Sequence, residues 1–469
     1  MNTNSIGVEA RVVRCPTAPS TQEIVHREGR PVPDVLKMES PRFLGDEDIS
    51  YERYISPEFF QKEMEHLWPR VWQWACREEH IPIPGDYYVY EIGPYSFIVV
   101  RANDHSVRAY YNSCLHRGTK LKPSGSEGHT KNIRCPFHGW TWSLEGHLER
   151  LPCSWDLPHV EQGGSKFKLP EVRVALWGGF VFINMDPDAP SLEKYMGVLP
   201  EHFKDWDLSN RFVEVHVEKE INANWKSTME AFMENYHTHE THPQLRYGNG
   251  DENTQYDIFG DHVSRFYAAN GVNSPHLETP LSEQELLDTM LLGDRTIVAE
   301  TPKLGEGETA RVVMARTMRE IMGEKYSVDL SHYTDTEMLD VMEYNLFPNM
   351  VLFPGLSIPM VYRFRPIGMD PGRTLFELLI LRPVPDDGSR PEPAIPEHLK
   401  EEDSFTSVTG MDPEFGYVYD QDTDNLRNQQ QGMVASRKRG QTLTNYQEVR
   451  IRHFEQTVDK YMRGEAVEP

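Results

Sequence analysis

The segment NSCLHRGTKLKPSGSEGHTKNIRCPFHGW holds Cys114 and His116, then 18 residues, then Cys135 and His138. Two thiolates and two imidazoles at these spacings point to a metal centre. Structural zinc accepts such donors, but zinc fingers usually present two cysteines from one element and two histidines from another. Here each loop supplies one of each. A two-iron, two-sulfide cluster with both thiolates on one iron and both imidazoles on the other needs that mixture. Two neutral imidazoles in place of thiolates also lower the negative charge on the cluster and raise its potential. Gly118, Pro136 and Gly139 permit tight turns around it, with backbone amides available to its sulfurs.

A second concentration lies in NWKSTMEAFMENYHTHETHPQL, where Glu230, Glu234, His237, His239, Glu240 and His242 fall within 13 residues. Two histidines and one carboxylate on an iron leave positions open for O2. On an ideal helix His239 and His242 share a face and His237 and His242 do not, while Pro243 ends the helix and loosens that geometry. HETH lacks one residue of the zinc-protease motif HExxH, so zinc hydrolysis has little support. The plain alternative is a polar helix end bearing surface histidines. Carboxylates that could complete the set stand far downstream in MDPEFGYVYDQDTDNLRNQQQGM: Asp420, Asp422 and Asp424. DQDTD reads equally as an acidic helix start, favoured by the helix dipole.

CLHRG followed by CPFHGW resembles the Rieske domain of the Rieske-type non-haem iron oxygenases, the α subunits of aromatic ring-hydroxylating oxygenases. WGGFVFINMDP is similar to the end of that domain. The resemblance runs from about residue 50 to 435 and implies a Rieske [2Fe-2S] cluster on Cys114, His116, Cys135 and His138. The family motif, acidic-x-x-His-x-x-x-x-His, falls on Glu234, His237 and His242. The C-terminal signature puts the third ligand of a mononuclear Fe(II) at Asp422, and His239 is the reserve ligand. By the same resemblance Glu234, commonly Asp in the family, is the catalytic bridge between one subunit's cluster histidine and its neighbour's iron histidine. Glu230, one turn earlier, could line that passage or be solvated.

The implied protein is a terminal oxygenase that takes electrons at the cluster, passes them to the iron, activates O2 and hydroxylates an apolar, aromatic substrate by mono- or dioxygenation. The implied assembly is a head-to-tail homotrimer, with or without a small β subunit, and the implied setting is aromatic hydrocarbon catabolism. Family members also oxidise quaternary amines, steroids and demethylation substrates. One alternative is a Rieske electron carrier whose C-terminal domain only docks partners. Another is a zinc-stabilised binding module.

The elements that must position these residues divide the chain in three. Residues 1–75 read as an irregular proline-rich arm and a Ser-capped helix running from Ser56 to about Cys76, interrupted near Pro69. Residues 76–188 carry short β-branched and aromatic runs, which predict a small all-β domain with the two Cys–His loops inserted. Residues 189–469 mix helices and strands, an α+β domain with an antiparallel sheet, helix-grip-like by the resemblance. Within it the pattern predicts a strand at FVEVHVEKEI, one long helix from Asn224 to His242, and strands at ARVVMARTM, NMVLFPGLSIPMVYRFRPIG and TLFELLILRPV. DDGSRPEPAIPEHLKEEDS reads as a surface loop and TNYQEVRIRHFEQTVDKYMRG as a C-terminal helix. Phe232, Met233, Tyr256, Phe259, Phe266, Leu352 and Phe353 could form an apolar pocket or simply core.

The chain of 469 residues is 38% hydrophobic and 26% charged, which excludes disorder and supplies a sizeable core. Its formal charge of −25 makes nucleic acid and anionic membrane poor partners. No run approaches the roughly 18 apolar residues of a membrane span, and MNTNSIGVEARVVRCP lacks the apolar core of a secretory leader. A cytoplasmic protein is the expectation. Five cysteines are too few for a disulfide scaffold, and Cys15, Cys76 and Cys153 read as ordinary thiols. Without a G-x-G-x-x-G loop the chain needs a separate reductase or ferredoxin as electron donor. Arg117, Lys120, Lys122, Lys131 and Arg134 against Glu127 form a basic collar that suits an acidic ferredoxin, or a merely solvated loop.

Overall fold

Residues 73–184 build two antiparallel sheets from short strands. The larger runs in the order Gln73–Arg77, Phe180–Asn184, Glu171–Trp177, Val107–Tyr111, Tyr95–Arg101, Asp86–Ile92 and Glu127–His129. The smaller contains Ile133–Arg134, Thr141–Trp142 and Leu148–Arg150, and the second Cys–His loop joins its first two strands. This is the all-β domain expected, with a different beginning. The helix after Ser56 is only Pro57–His66, and Gln73–Arg77 is a sheet strand rather than helix. All five residues of that strand are buried, so no alternation marked it as one. The computed structural model describes residues 14–16, 18–292 and 297–468; the leader reading and the first part of the arm, residues 1–13, lie outside them.

Eight strands form the second large sheet, in the order Gln255–Phe259, Val263–Ala268, Val341–Leu346, Met350–Leu352, Met360–Pro366, Thr374–Pro383, Arg211–Ile221 and Glu397–Leu399. All neighbours are antiparallel except the last pair. With the helices packed on it, this is the larger α+β domain. Part of the expected surface loop at 386–404 thus joins the sheet as Glu397–Leu399. Arg363 fastens the two large sheets together. It donates to the carbonyls of Trp74 and Ala75 at 2.6 and 2.8 Å and pairs with the buried Glu377.

The arm is more ordered than its prolines suggest. Thr21–Val25 is a helix held by a Ser20–Glu23 capping box, and Thr21 Oγ1 donates to the carbonyl of Asn253 at 2.8 Å. ARVVMARTM is not a strand but the start of the Ala310–Tyr326 helix. Its paired valines mislead, because Ala310 and Val313 are buried against Leu286, Leu287 and Leu291 of the Glu283–Leu292 helix; tertiary packing overrides the local propensity. DQDTD lies in the middle, not at the start, of the Pro413–Ala435 helix, whose N-cap is Asp412 with Pro413 following. The C-terminal helix is Val449–Arg463. Among the described residues no helix is long and apolar enough to cross a membrane.

Candidate metal centres and the cavities beside the triad

The two Cys–His loops are built alike. In each the cysteine carbonyl accepts from a glycine four residues on, Gly118 at 2.9 Å and Gly139 at 3.2 Å, and the cysteine amide donates to the carbonyl after it. Both glycines turn the chain with φ of +77° and +74°, a region closed to most side chains. The thiols of Cys114 and Cys135 are buried, while His116 and His138 are exposed. The imidazole centroids lie 4.7 Å apart, and His116 stacks on Trp140 at 5.1 Å. Burial and the neighbouring Cys135 push the Cys114 thiol up, so its thiolate needs a cation beside it. Two thiols at the base and two imidazoles at the rim fit a binuclear cluster with an exposed, histidine-bearing edge.

The second site depends on a helix that does not continue. The expected helix over 224–242 is two pieces, Trp225–Glu230 and Thr238–Thr241. Between them tertiary hydrogen bonds replace the helical ladder. Arg450 Nη1 donates to Met233 O at 2.8 Å, Tyr256 Oη accepts from the Asn235 amide at 3.1 Å, and Asn235 Nδ2 donates to Asn249 and Thr254. Freed from regular spacing, His237 and His242 converge, their centroids 5.3 Å apart.

Asp422 completes the group. Its Oδ1 lies 2.7 Å from His242 Nε2 and 3.4 Å from His237 Nε2, and the three side chains each bring a donor atom within 4.8 Å of the others. The competing aspartates are engaged elsewhere. Asp420 accepts from the Phe405 amide at 2.9 Å, and Asp424 faces solvent. His239 points away to Tyr236 O. Both converging imidazoles carry an acceptor on Nδ1, Glu234 Oε1 at 2.8 Å for His237 and Gln421 Oε1 at 2.9 Å for His242. A metal would then take Nε2 of each, displacing the proton that faces Asp422. Burial lowers His237, but the charges of Glu234 and Asp422 outweigh it and hold the imidazole well above its ordinary value. Burial raises Asp422, yet hydrogen bonds from both histidines hold it below the usual carboxylate range. Two imidazoles and one carboxylate suit a non-haem Fe(II) with open positions.

Cavities open on two sides of this triad. One of about 540 Å³ is walled by Phe232, Phe266, Phe353, Met314, Met360 and Tyr419 among others, with His237, His242 and Asp422 at its surface. Of the seven apolar candidates, Phe232, Phe266 and Phe353 line it, whereas Met233, Tyr256, Phe259 and Leu352 are buried core. The other cavity, of about 500 Å³, is bordered by Glu230, Glu234, His237 and Asp422. Glu230 is buried there, not solvated, and accepts from Tyr54 Oη at 2.8 Å. Burial and the nearby Glu455 push its carboxyl well up. Two residues escaped the sequence reading. Gln421 had no signal beyond adjacency to Asp422. Glu343, which lines the larger cavity, sits in a strand buried on nearly every residue; burial pushes it up to about 7 although Arg450 lies 2.9 Å away.

The model of the ring hydroxylating alpha subunit (catalytic domain) matches residues 203–464, and that of the Rieske [2Fe-2S] domain matches residues 71–161. A glycine betaine monooxygenase oxygenase subunit from Chromohalobacter salexigens is 29% identical over 228 residues, 47% of this chain and 50% of that protein. A carnitine monooxygenase oxygenase subunit from Escherichia coli (strain K12) is 33% identical over 199 residues, 40% of this chain and 50% of that protein. The matched stretch thus spans about half the length of these curated relatives. A mutant naphthalene 1,2-dioxygenase bound to phenanthrene shares the fold with a TM-score of 0.63 at 20% identity, covering 90% of this chain and 93% of that one.

Proposed function

The chain belongs to the ring hydroxylating alpha subunit family, and on that premise we propose that it is the terminal oxygenase of a multicomponent system. In this reading residues 76–188 hold a [2Fe-2S] cluster through Cys114, His116, Cys135 and His138. Residues 189–469 hold Fe(II) through His237, His242 and Asp422, and residues 1–75 form an arm and helix that pack on this catalytic domain. When bound, the two centres supply one-electron transfer and O2 activation at the substrate. The chain's own residues do the rest: Glu234 and Gln421 orient the two iron histidines, and the apolar wall excludes water and holds the substrate beside them.

The observation that carries the reading is the convergence of His237, His242 and Asp422 at the surface of a large apolar cavity. Its test is iron and acid-labile sulfide per chain on anaerobically purified protein, with an EPR spectrum after dithionite. About three irons and two sulfides with a Rieske-type signal is the expected result. About two irons in protein that takes up no third would make the chain an electron carrier instead.

The substrate supported best is neutral, apolar and ring-sized, because apolar side chains, many of them aromatic or methionine, make up most of the wall. A quaternary ammonium substrate is the second reading, favoured by Glu343 and by the glycine betaine and carnitine relatives. The described lining has three carboxylates, Glu234, Glu343 and Asp422, and no Lys or Arg. That disfavours a substrate carrying its own carboxylate, since like charges repel in a low-dielectric cavity. Oxygen uptake coupled to product formation, measured with a two-ring arene, a simple tetraalkylammonium ion and carnitine, separates the three. A separate ferredoxin or reductase, a homotrimer and a cytoplasmic location complete the proposal.

A further inference from the structure

We propose that the chain carries a third metal centre, a divalent ion of the zinc class held by His239, His276 and Asp251 with Glu252 at its edge. The three first-named side chains each offer one donor atom, and these atoms all lie within 4.8 Å of one another. His239 is the histidine that the iron triad leaves over. Its Nδ1 donates to the carbonyl of Tyr236 at 2.8 Å, which keeps the proton on Nδ1 and the lone pair on Nε2. Metal-bound imidazoles are oriented in just this way, by a carbonyl or carboxylate on the far nitrogen.

His276 turns its Nε2 to the carboxylates, 3.6 Å from Asp251 Oδ2 and 3.2 Å from Glu252 Oε1. Its ring stacks on that of His239 with centroids 4.3 Å apart.

Asp251 supplies the independent sign of a missing ligand. It is 2% exposed, its Oδ1 accepts from Ser274 Oγ at 2.7 Å, and its Oδ2 is buried with no hydrogen-bond partner among the described residues. A carboxylate oxygen that deep without a donor calls for an explanation, and a bound cation is one. Two imidazoles and a carboxylate, with a second carboxylate in reach, suit zinc better than calcium or magnesium, which take oxygen donors alone. His276 and Glu252 are partly exposed, which gives the ion an entry path.

The ion acts as a brace. Its ligands come from the Thr238–Thr241 helix, the Asp251–Asn253 turn and the loop that reaches Glu283. Between the first two, Gln244, Leu245, Tyr247, Gly248 and Asn249 line the larger cavity. Tying both ends of that stretch together fixes the wall against which a substrate packs.

The test counts zinc on protein whose iron–sulfur centre is intact but whose exchangeable metal has been removed by a chelator. About two zinc ions per chain are expected on titration with zinc sulfate, one at the iron triad and one at the brace. Asp422→Ala should lose the first only; His276→Ala and the isosteric Asp251→Asn should each lose the second only, with the cluster's visible spectrum unchanged. A thermal melt gives a second readout: zinc should raise the midpoint of Asp422→Ala but no longer that of Asp422→Ala/Asp251→Asn. A wild-type protein that binds one zinc, lost in Asp422→Ala and kept in His276→Ala, overturns the proposal. So does a count that neither His276→Ala nor Asp251→Asn reduces. A count lowered by His276→Ala but not by Asp422→Ala would sink the iron-site assignment and leave the brace standing.

Discussion

His242 donates from Nδ1 to Gln421 Oε1, and Gln244 Nε2 donates to the same oxygen at 2.8 Å. In the proposed iron site this oxygen fixes the tautomer of His242 and is itself held in place. Gln421→Leu should therefore weaken mononuclear iron binding by roughly 10–100-fold while the cluster's EPR signal stays as it was. Ferrous titration of the chelated protein measures it, and unchanged affinity would show that Gln421 does not orient the ligand. Glu234 does the corresponding work for His237, accepting from its backbone amide at 3.0 Å as well as facing its Nδ1. Glu234→Gln should keep iron bound yet cut turnover by roughly 10–100-fold, with reduction of the cluster by dithionite unaffected. Full turnover would remove Glu234 from the path between the centres. The two Cys–His loops were legible because cysteine and histidine are rare and their local spacing is stiff. Gln421, Asp251 and His276 were not, since nothing local distinguishes a glutamine or aspartate that meets its partner only after folding.

At the scale of elements, the Val449–Arg463 helix is fastened by histidines that stay neutral. His453 Nε2 donates to Gly260 O at 2.9 Å, and His262 Nε2 lies 2.9 Å from Tyr461 Oη. Burial pushes both imidazoles down to about 4. An unfolded histidine titrates near 6.5, so between that pH and about 4 the unfolded chain binds more protons than the native one. The stability these groups contribute is present above pH ~6.5 and is lost as pH falls, each by at most about 1.4 kcal/mol per pH unit. Urea midpoints at several pH values should fall through this window, and His262→Gln should flatten the decline by one proton's share. An identical slope in the variant would mean that His262 is not buried neutral. The same helix explains part of what the sequence concealed. Arg450, on its first turn, takes Met233 O out of the helical ladder, so the break between Glu230 and Thr238 is imposed from more than 200 residues away. The sheet strands from 350 to 383 were legible because β-branched and aromatic runs there are long, whereas Val341–Leu346, with Glu343 and Asn345 in its short run, was not. The Ala310–Tyr326 helix was not, because its first turn combines a valine pair with a partner helix that sequence periodicity cannot see.

At the scale of the whole molecule, the proposed function has an electron donor dock at the exposed edge of the Rieske domain. Lys120 is exposed but paired with Glu91 at 2.7 Å and Lys122 is half-buried over the Tyr87 ring, while Arg117, Lys131 and Arg134 are exposed and form no ion pair among the described residues. Beside them Phe137 is 59% exposed, an apolar anchor next to His138. Arg117→Glu/Arg134→Glu should slow reduction by the physiological donor by about 10-fold or more at low salt and leave dithionite reduction unchanged; equal rates with the donor would assign docking elsewhere. The cavity bordered by Glu230 and Glu234 poses the complementary question of which subunit's cluster serves a given iron. Cys114→Ser should abolish the cluster and Asp422→Ala the iron, so neither variant alone turns over. Co-expressed in one head-to-tail ring, about a quarter of the junctions set an intact cluster from one parent against an intact iron site from the other. Activity regained to that extent means electrons cross between subunits, because no single chain in the mixture has both centres. No recovery in mixed assemblies would confine transfer to one chain, and Glu234 would then serve only as the partner of His237.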